Sequence, residues 1–317
     1  MVLASDSDVA VTYRYNTFSE IEERTITSVD GSRTMAERRE YDGRGRISRQ
    51  SWDYKAAASP WRRSVTLTWR EDNKITGKIW TNTEGVTARE ESMDYDPRGR
   101  LVAHRIVAMD GEYTKDDVGN PYIAQVFEYD PMDNLCVVET SLLDQRVNRT
   151  TYDFDPVDRD RMTSFRNTLP DYPGGGTEVR VLYDNAGNVI DDGLGRTYGW
   201  DGAGRLAWIR HADGRRVDYE QGADGRVAAV VREGRRWFRY YDDGALTWEV
   251  SDGDGRRFVR VDGGAVAETI LAAGIRNALL LGADPQGSVI AHDGDGIRER
   301  SYEAYGASHF LSDGAEG

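Results

Sequence analysis

Apolar and polar residues alternate in several short runs, among them Val65-Thr-Leu-Thr-Trp69, Val126-Phe-Glu-Tyr129, Val179-Arg-Val-Leu-Tyr183 and Phe258-Val-Arg-Val261. A period of two sends successive side chains to opposite faces of an extended backbone, so each run is expected to be a β-strand. Between the runs stands a seven-residue unit: Tyr41-Asp-Gly-Arg-Gly-Arg-Ile47, Tyr95-Asp-Pro-Arg-Gly-Arg-Leu101, Tyr183-Asp-Asn-Ala-Gly-Asn-Val189 and Trp200-Asp-Gly-Ala-Gly-Arg-Leu206. Weaker copies begin at Tyr15, Trp69, Tyr129, Phe154, Tyr219 and Tyr241. The Asp can accept backbone amides two or three residues on, and the Gly supplies the positive φ that closes a four-residue or bulged loop. Each copy therefore predicts one β-hairpin whose aromatic and aliphatic residues pack against the next. A short unit repeated along the whole chain points to an array.

Departures from the unit keep its backbone shape. Asn73 and Asp133 stand where Gly is usual, and these residue types tolerate left-handed geometry next best. Pro97, Pro131 and Pro156 follow the Asp position, where a turn fixes φ and needs no amide donor. The aromatic heads are spaced widely up to Phe154 and closely from Tyr183 onward. That spacing predicts a single array of longer hairpins over 1–167, a Pro- and Gly-rich loop over 168–178 and shorter hairpins over 179–283.

Composition narrows the function. The 317 residues carry a net charge of -14, with a pI of about 4.9 and a mean hydropathy of -0.67. Such a surface repels phosphate backbones and anionic lipids, so neither nucleic acid nor a membrane span is expected. Aromatic residues at 10% are too many for a disordered acidic chain. Cys136 stands alone, which removes a disulfide framework and a multi-thiolate zinc site and leaves a buried thiol as the expectation. The opening residues Met-Val-Leu-Ala-Ser-Asp-Ser-Asp hold no basic segment ahead of an apolar run, so no signal peptide is visible.

Candidate chemistry is sparse. His104, His211, His292 and His309 lack metal-ligand spacing, and no metal or other cofactor is expected. Gly202-Ala-Gly204-Arg-Leu-Ala207 fits a loose dinucleotide fingerprint, yet it is one of the turns. Asp252-Gly-Asp254-Gly and Asp293-Gly-Asp295-Gly do not complete a calcium loop and read as turns. Asp191-Asp192 and Asp242-Asp243 point to opposite faces of a strand, a poor acid and base pair. Asn148-Arg-Thr150 is a glycosylation sequon by pattern. Aromatic faces such as Trp80 and Trp237 allow a second reading, an adhesive surface for carbohydrate, protein or cell surface. A glycan-processing enzyme is a third.

On these motifs the chain resembles the RHS (rearrangement hotspot) or YD-repeat family, which includes shell regions of insecticidal toxin complexes. Near the end, Asp284-Pro-Gln-Gly287-Ser288-Val-Ile followed by Tyr302-Glu-Ala-Tyr305-Gly306 is similar to the first part of the RHS-associated core, placed at 284–317. The resemblance implies an all-β fold of serial antiparallel hairpins in a long, curved, superhelical sheet. It also implies a non-enzymatic role, holding a toxin cargo alongside further shell segments or a capping subunit. Delivery outside the cell by a bacterial export system follows from the same likeness. The family's self-cleaving aspartate element is expected beyond Gly317, and Ser288-Val289 departs from its Leu, so no catalytic residue is assigned. The residues expected to build the repeat are Tyr41, Asp42, Gly45, Tyr95, Asp96, Gly99, Tyr129, Asp130, Tyr183, Asp184, Gly187, Trp200, Asp201, Gly204, Asp284, Gly287, Tyr305 and Gly306.

Size sets a further expectation. Roughly 20 strands at ~4.8 Å make a ribbon of ~96 Å, and closed into a ring it would be ~30 Å across. A toxin domain of about 150 residues measures ~38 Å. The chain is therefore expected to form part of a wall. Negative charge on an inner face would hold a basic cargo, and salt would loosen it.

Overall fold

The computed structural model describes residues 3–5, 8–56, 60–109, 111–262, 264–294, 296–305 and 308–310. Among them the fold is all-β, with 28 strands and no helix. The strands follow one another in two 14-stranded sheets, each in strict chain order. One runs from Leu3–Ser5 to Glu178–Arg180 and the other from Leu182–Tyr183 to Ser308–Phe310. Every pairing given for neighbouring strands is antiparallel, so the architecture is the serial-hairpin one expected. The strand number exceeds the roughly 20 estimated because several hairpins close through two-residue turns that carry no seven-residue unit. Asp243-Gly244 and Asp252-Gly253 each hold both residues at positive φ, which gives the tight connection suited to the strand twist.

Two compact units divide the chain, one of residues 1–124 with 257–317 and the other of residues 125–256. In the first, alternation places rows of buried side chains on one sheet face. Val11 faces Ile26, Ile26 faces Met35, Met35 faces Tyr54 and Tyr54 faces Trp61. These pack with Val266, Ala267, Leu280, Ile290 and Ala291 from strands more than 150 residues later in the chain. Trp52, only 1% exposed, stacks on Trp80 with centroids 6.3 Å apart and also meets Gly282. Buried charge on the same face is paired at Glu37. Buried Glu37 binds Arg24 at 2.6 Å and Arg39 at 2.6 Å, so neither carboxylate oxygen is stranded in the low-dielectric interior.

Long-range polar contacts stitch this unit. Gln50 Nε2 donates to Ala283 O at 2.9 Å, Trp61 Nε1 to Glu299 at 2.7 Å, and Arg276 to Asp8 at 2.7 Å. Asp293 lies within the strand Val289–Gly294, fully buried, and accepts from Arg33 at 2.8 Å and from the Leu280 amide. Its expected turn role is thereby replaced by a core one, because the strand continues through it.

The unit of residues 125–256 has shorter strands, such as Val189–Asp191 and Thr197–Trp200. Its loop after Asn167 is tied down rather than freely exposed. Tyr172 is buried, Asn167 Nδ2 donates to Pro173 O at 2.9 Å, and Arg146 pairs with Asp171 at 2.8 Å.

Candidate functional site

The repeated turns are the most regular polar arrangement in the molecule. Strand Thr34–Tyr41 ends on the aromatic head, and strand Ile47–Lys55 starts on the aliphatic tail. Between them, Asp42 N donates to Arg46 O at 2.8 Å and Gly45 N to Asp42 O at 3.0 Å. Asp42 Oδ1 accepts the amides of Arg44 and Arg46 at 2.9 and 3.0 Å. Asp184, Asp201, Asp130 and Asp284 take the amides two and four residues on in the same way. Asp96 accepts the Arg100 amide at 2.9 Å. Gly45, Gly99, Gly187, Gly204 and Gly287 all sit at positive φ, as do Asn73 and Asp133 in the altered copies. A register shift of one residue falls just before Tyr41, Tyr95 and Trp200, the bulge that this loop imposes on its hairpin.

In the loops of Asp42, Asp96, Asp130, Asp184 and Asp201 the sixth position, unassigned from sequence, joins the Asp. Arg46, Arg100 and Arg205 donate through Nε to Oδ2 of Asp42, Asp96 and Asp201 at 2.7, 2.7 and 2.8 Å. Asn134 and Asn188 do the same for Asp130 and Asp184 at 2.9 and 3.0 Å. The hydrogen bond from Arg46 holds the Asp42 carboxyl down at about 2, and Asp96, Asp184 and Asp201 also lie below the usual carboxylate value.

Several aromatic heads staple their hairpin to the one before. Tyr41, Trp69 and Tyr95 donate to the carbonyls of Ile21, Ile47 and Ile75 at 2.8, 2.7 and 2.9 Å. In the other unit Tyr183, Trp200 and Tyr241 donate to those of Met162, Val189 and Val227 at 2.7, 2.7 and 3.0 Å. The acceptor is the residue just after the preceding loop, whose carbonyl the bulge leaves turned toward the next head. Cations just before the aliphatic tail stack on these same rings: Arg46 over Trp69 at 5.4 Å, Lys74 over Tyr95 at 5.4 Å, Arg161, the last residue of a longer loop, over Tyr183 at 5.4 Å and Arg226 over Tyr241 at 5.6 Å. Two copies register differently from the sequence reading. Gln221, not Tyr219, is a head, donating to Leu206 O at 2.9 Å. Tyr302 plays that part near the end, donating to Val289 O at 2.7 Å, whereas Tyr305 is 58% exposed in a turn. Gly306 lies outside the described residues.

One turn borders a cleft. A cavity of about 220 Å³ in the first unit is lined by Asp284, Ser288, Tyr302, Lys78, Glu91 and His104, with Ile75, Met93 and Leu101 as its apolar wall. Behind it, Glu91 accepts from Trp80 Nε1 and Arg89 Nε at 2.8 Å each and meets His104 Nε2 at 3.2 Å, while Tyr122 Oη meets His104 Nδ1 at 3.2 Å. Burial opposes the Glu91 charge, but Arg89 and the His104 hydrogen bond prevail and hold its carboxyl far below the ordinary range. Burial instead pushes Asp284 up, only partly offset by Lys78.

The remaining candidates take structural places. His104 is buried in that network, and the His309 side chain is outside the described residues. Cys136 is half-buried, its thiol pushed up by burial and by Asp130. Asn148, 1% exposed, donates to Asn167 Oδ1 at 2.8 Å, which withdraws the sequon from the folded surface. Trp80 is buried, and two guanidinium groups, of Arg232 and Arg235, stand 4.6 and 5.0 Å from the centre of the Trp237 ring. Among the described residues no group of three or more His, Cys, Asp or Glu could hold a metal ion, and no helix is long and apolar enough to cross a membrane.

Comparison with protein-family models gave no match, and no curated protein sequence matched. Among solved structures the chain is similar to those titled TcdB2-TccC3-TEV, at 14% identity and a TM-score of 0.49, and TcdB2-TccC3-Cdc42, at 13% and 0.49. Both likenesses cover 96% of this chain and 18% of the other, so the chain spans less than a fifth of their length. A porin-like protein from Bacteroides uniformis ATCC 8492 overlaps at 12% identity with a TM-score of 0.27, covering 72% of this chain and 88% of that one. Likenesses this distant say nothing of what the chain does.

Proposed function

We propose that this chain is a non-enzymatic wall segment of an RHS-type, YD-repeat shell that holds a polypeptide cargo, together with further shell segments or a capping subunit, for delivery outside the cell. The observation that carries the reading is the fate of the repeated residues. In most copies Asp closes the loop, the sixth residue locks the Asp, and the head staples one hairpin to the last. Chemistry spent in this way builds an extended sheet of serial hairpins and leaves its residues committed to one another. In a reaction centre such groups would converge on one place. The test is limited proteolysis of the protein isolated from the cells that make it. Peptides of a second polypeptide segment, protected until denaturant opens the wall, are expected; no protected segment contradicts the reading.

A second reading, adhesion, draws on strand Arg235–Asp242, where alternation leaves Phe238 43% and Tyr240 56% exposed. Glycan-array binding abolished by Tyr240→Ala, with circular dichroism unchanged, would favour it over the shell.

A further inference from the structure

The turn at Asp284 follows Ala283 rather than an aromatic head, and its sixth residue departs from the sister turns in a way that affects two groups at once. It keeps the backbone pattern, with Asp284 N donating to Ser288 O at 2.8 Å and Oδ1 accepting the amides of Gln286 and Ser288. Its sixth residue, however, is Ser288, too short to return to Oδ2 as Arg46, Arg100, Asn134, Asn188 and Arg205 do in their own loops. Among the described residues no donor reaches Asp284 Oδ2. The head that follows this turn is Tyr302, and no cation from the described residues stacks on its ring, in contrast to Trp69, Tyr95, Tyr183 and Tyr241. Asp284, Ser288 and Tyr302 line the same cavity of about 220 Å³, room enough for a side chain.

We infer that this cavity receives an arginine side chain of another polypeptide segment, whose guanidinium binds Asp284 Oδ2 and lies over the Tyr302 ring. The class of ligand follows from the sister turns. There a guanidinium bridges carboxylate and ring within one chain, Arg46 reaching both Asp42 at 2.7 Å and the Trp69 ring at 5.4 Å. A planar, permanently charged fork suits both contacts, which a neutral amide cannot reproduce. Around the cavity, Glu303 adds negative charge, while that of Glu91 is already met by Arg89 at 2.8 Å. Lys78, held at 2.9 Å by Gln286 Oε1, offsets part of it, and His104 faces Glu91. The apolar wall of Ile75, Met93 and Leu101 would cover the methylene stem of the incoming side chain. The upward displacement of the Asp284 carboxyl fits a site whose counter-ion comes from outside the turn. This inference stands on one turn and does not depend on the shell reading.

The test titrates the intact protein with acetyl-Gly-Arg-Gly-amide and with its isosteric citrulline counterpart, following the amide signals of Gly287, Ser288 and Val289 by NMR. Saturable shifts are expected with the arginine peptide alone. Ser288→Arg, which supplies the missing side chain within the turn, is expected to raise the melting temperature and weaken peptide binding by roughly tenfold or more. Asp284→Asn should weaken it similarly; should that variant fail to fold, Ser288→Arg decides the matter alone. Equal binding of the citrulline peptide, arginine binding untouched by Ser288→Arg, or no saturable shift would each overturn the inference. A missing cargo in the purified protein would sink the shell reading and leave this result unchanged.

Discussion

Asp42 and Asp284 occupy equivalent places in the same loop and differ in what meets the second carboxylate oxygen. Because the Asp42 value falls below the ordinary 3.8 to about 2, its contribution to stability is present above the unfolded value and is lost as pH falls through the folded one. Asp284 is displaced upward, so its ionised form is disfavoured in the fold and stability from this group declines as pH rises through that value. Carbon-detected carboxyl titration should place the Asp42 midpoint near pH 2 and the Asp284 midpoint above 3.8. Coincident midpoints would refute this account of the sixth position. The staple is testable in the same spirit. Tyr95→Phe removes the donor to Ile75 O while keeping the ring, and should cost about 0.5–1.5 kcal/mol in denaturant unfolding. The roles of Asp and Gly were legible in the sequence because they follow from local backbone geometry. The stacking of Arg46 on Trp69 and the staple from Tyr95 to Ile75 were not, since both depend on which turn lies beside which.

At the scale of the hairpin, strands are short over Val189–Asp191 and Thr197–Trp200 but lengthen again to nine residues at Gly264–Ala272 and Ile275–Ala283. The heads Tyr41, Trp69 and Tyr95 reach back 20 to 22 residues to their carbonyls, whereas Trp200 and Tyr241 reach back 11 and 14. Hairpins without the full unit stayed hidden. Gln221 presents an amide where a ring was sought, and the loop from Asp116 to Asn120 has the same hydrogen bonds and Gly119 at positive φ but follows Lys115 rather than an aromatic residue. Gly199 shows a constraint of a different kind. A Cβ built there would collide with the Trp208 indole, and that ring has Arg210 and Arg216 at 5.6 and 4.8 Å from its centre. Gly199→Ala should therefore cost about 1–3 kcal/mol by overpacking, and a combined Gly199→Ala, Trp208→Ala variant should lose less than the two separate costs summed.

For the molecule as a whole, alternation announced which face of each strand turns inward but not what would cover it. In the first unit the cover comes from the far end of the chain: Trp52 packs beside Gly282, and Gln50 binds Ala283 across 233 residues. Trp52→Ala should cost about 3–5 kcal/mol. It should also speed hydrogen exchange in residues 266–291 as well as in the neighbouring strands of residues 35–67. Faster exchange confined to the early strands would contradict a shared core. Net charge set nucleic acid aside only as an expectation, and the interior is governed by paired charges such as Arg24 and Glu37, which a charge total conceals.

The shell proposal requires that the repeated residues wall in another polypeptide. Mass spectrometry of the protein purified from the cells that make it, recorded first under native and then under denaturing conditions, tests this most directly. The account predicts a native mass that exceeds that of the wall polypeptide by one protein-sized guest, released only when the sheets unfold. A native mass equal to the bare chain or to whole multiples of it, with no released polypeptide, would contradict it.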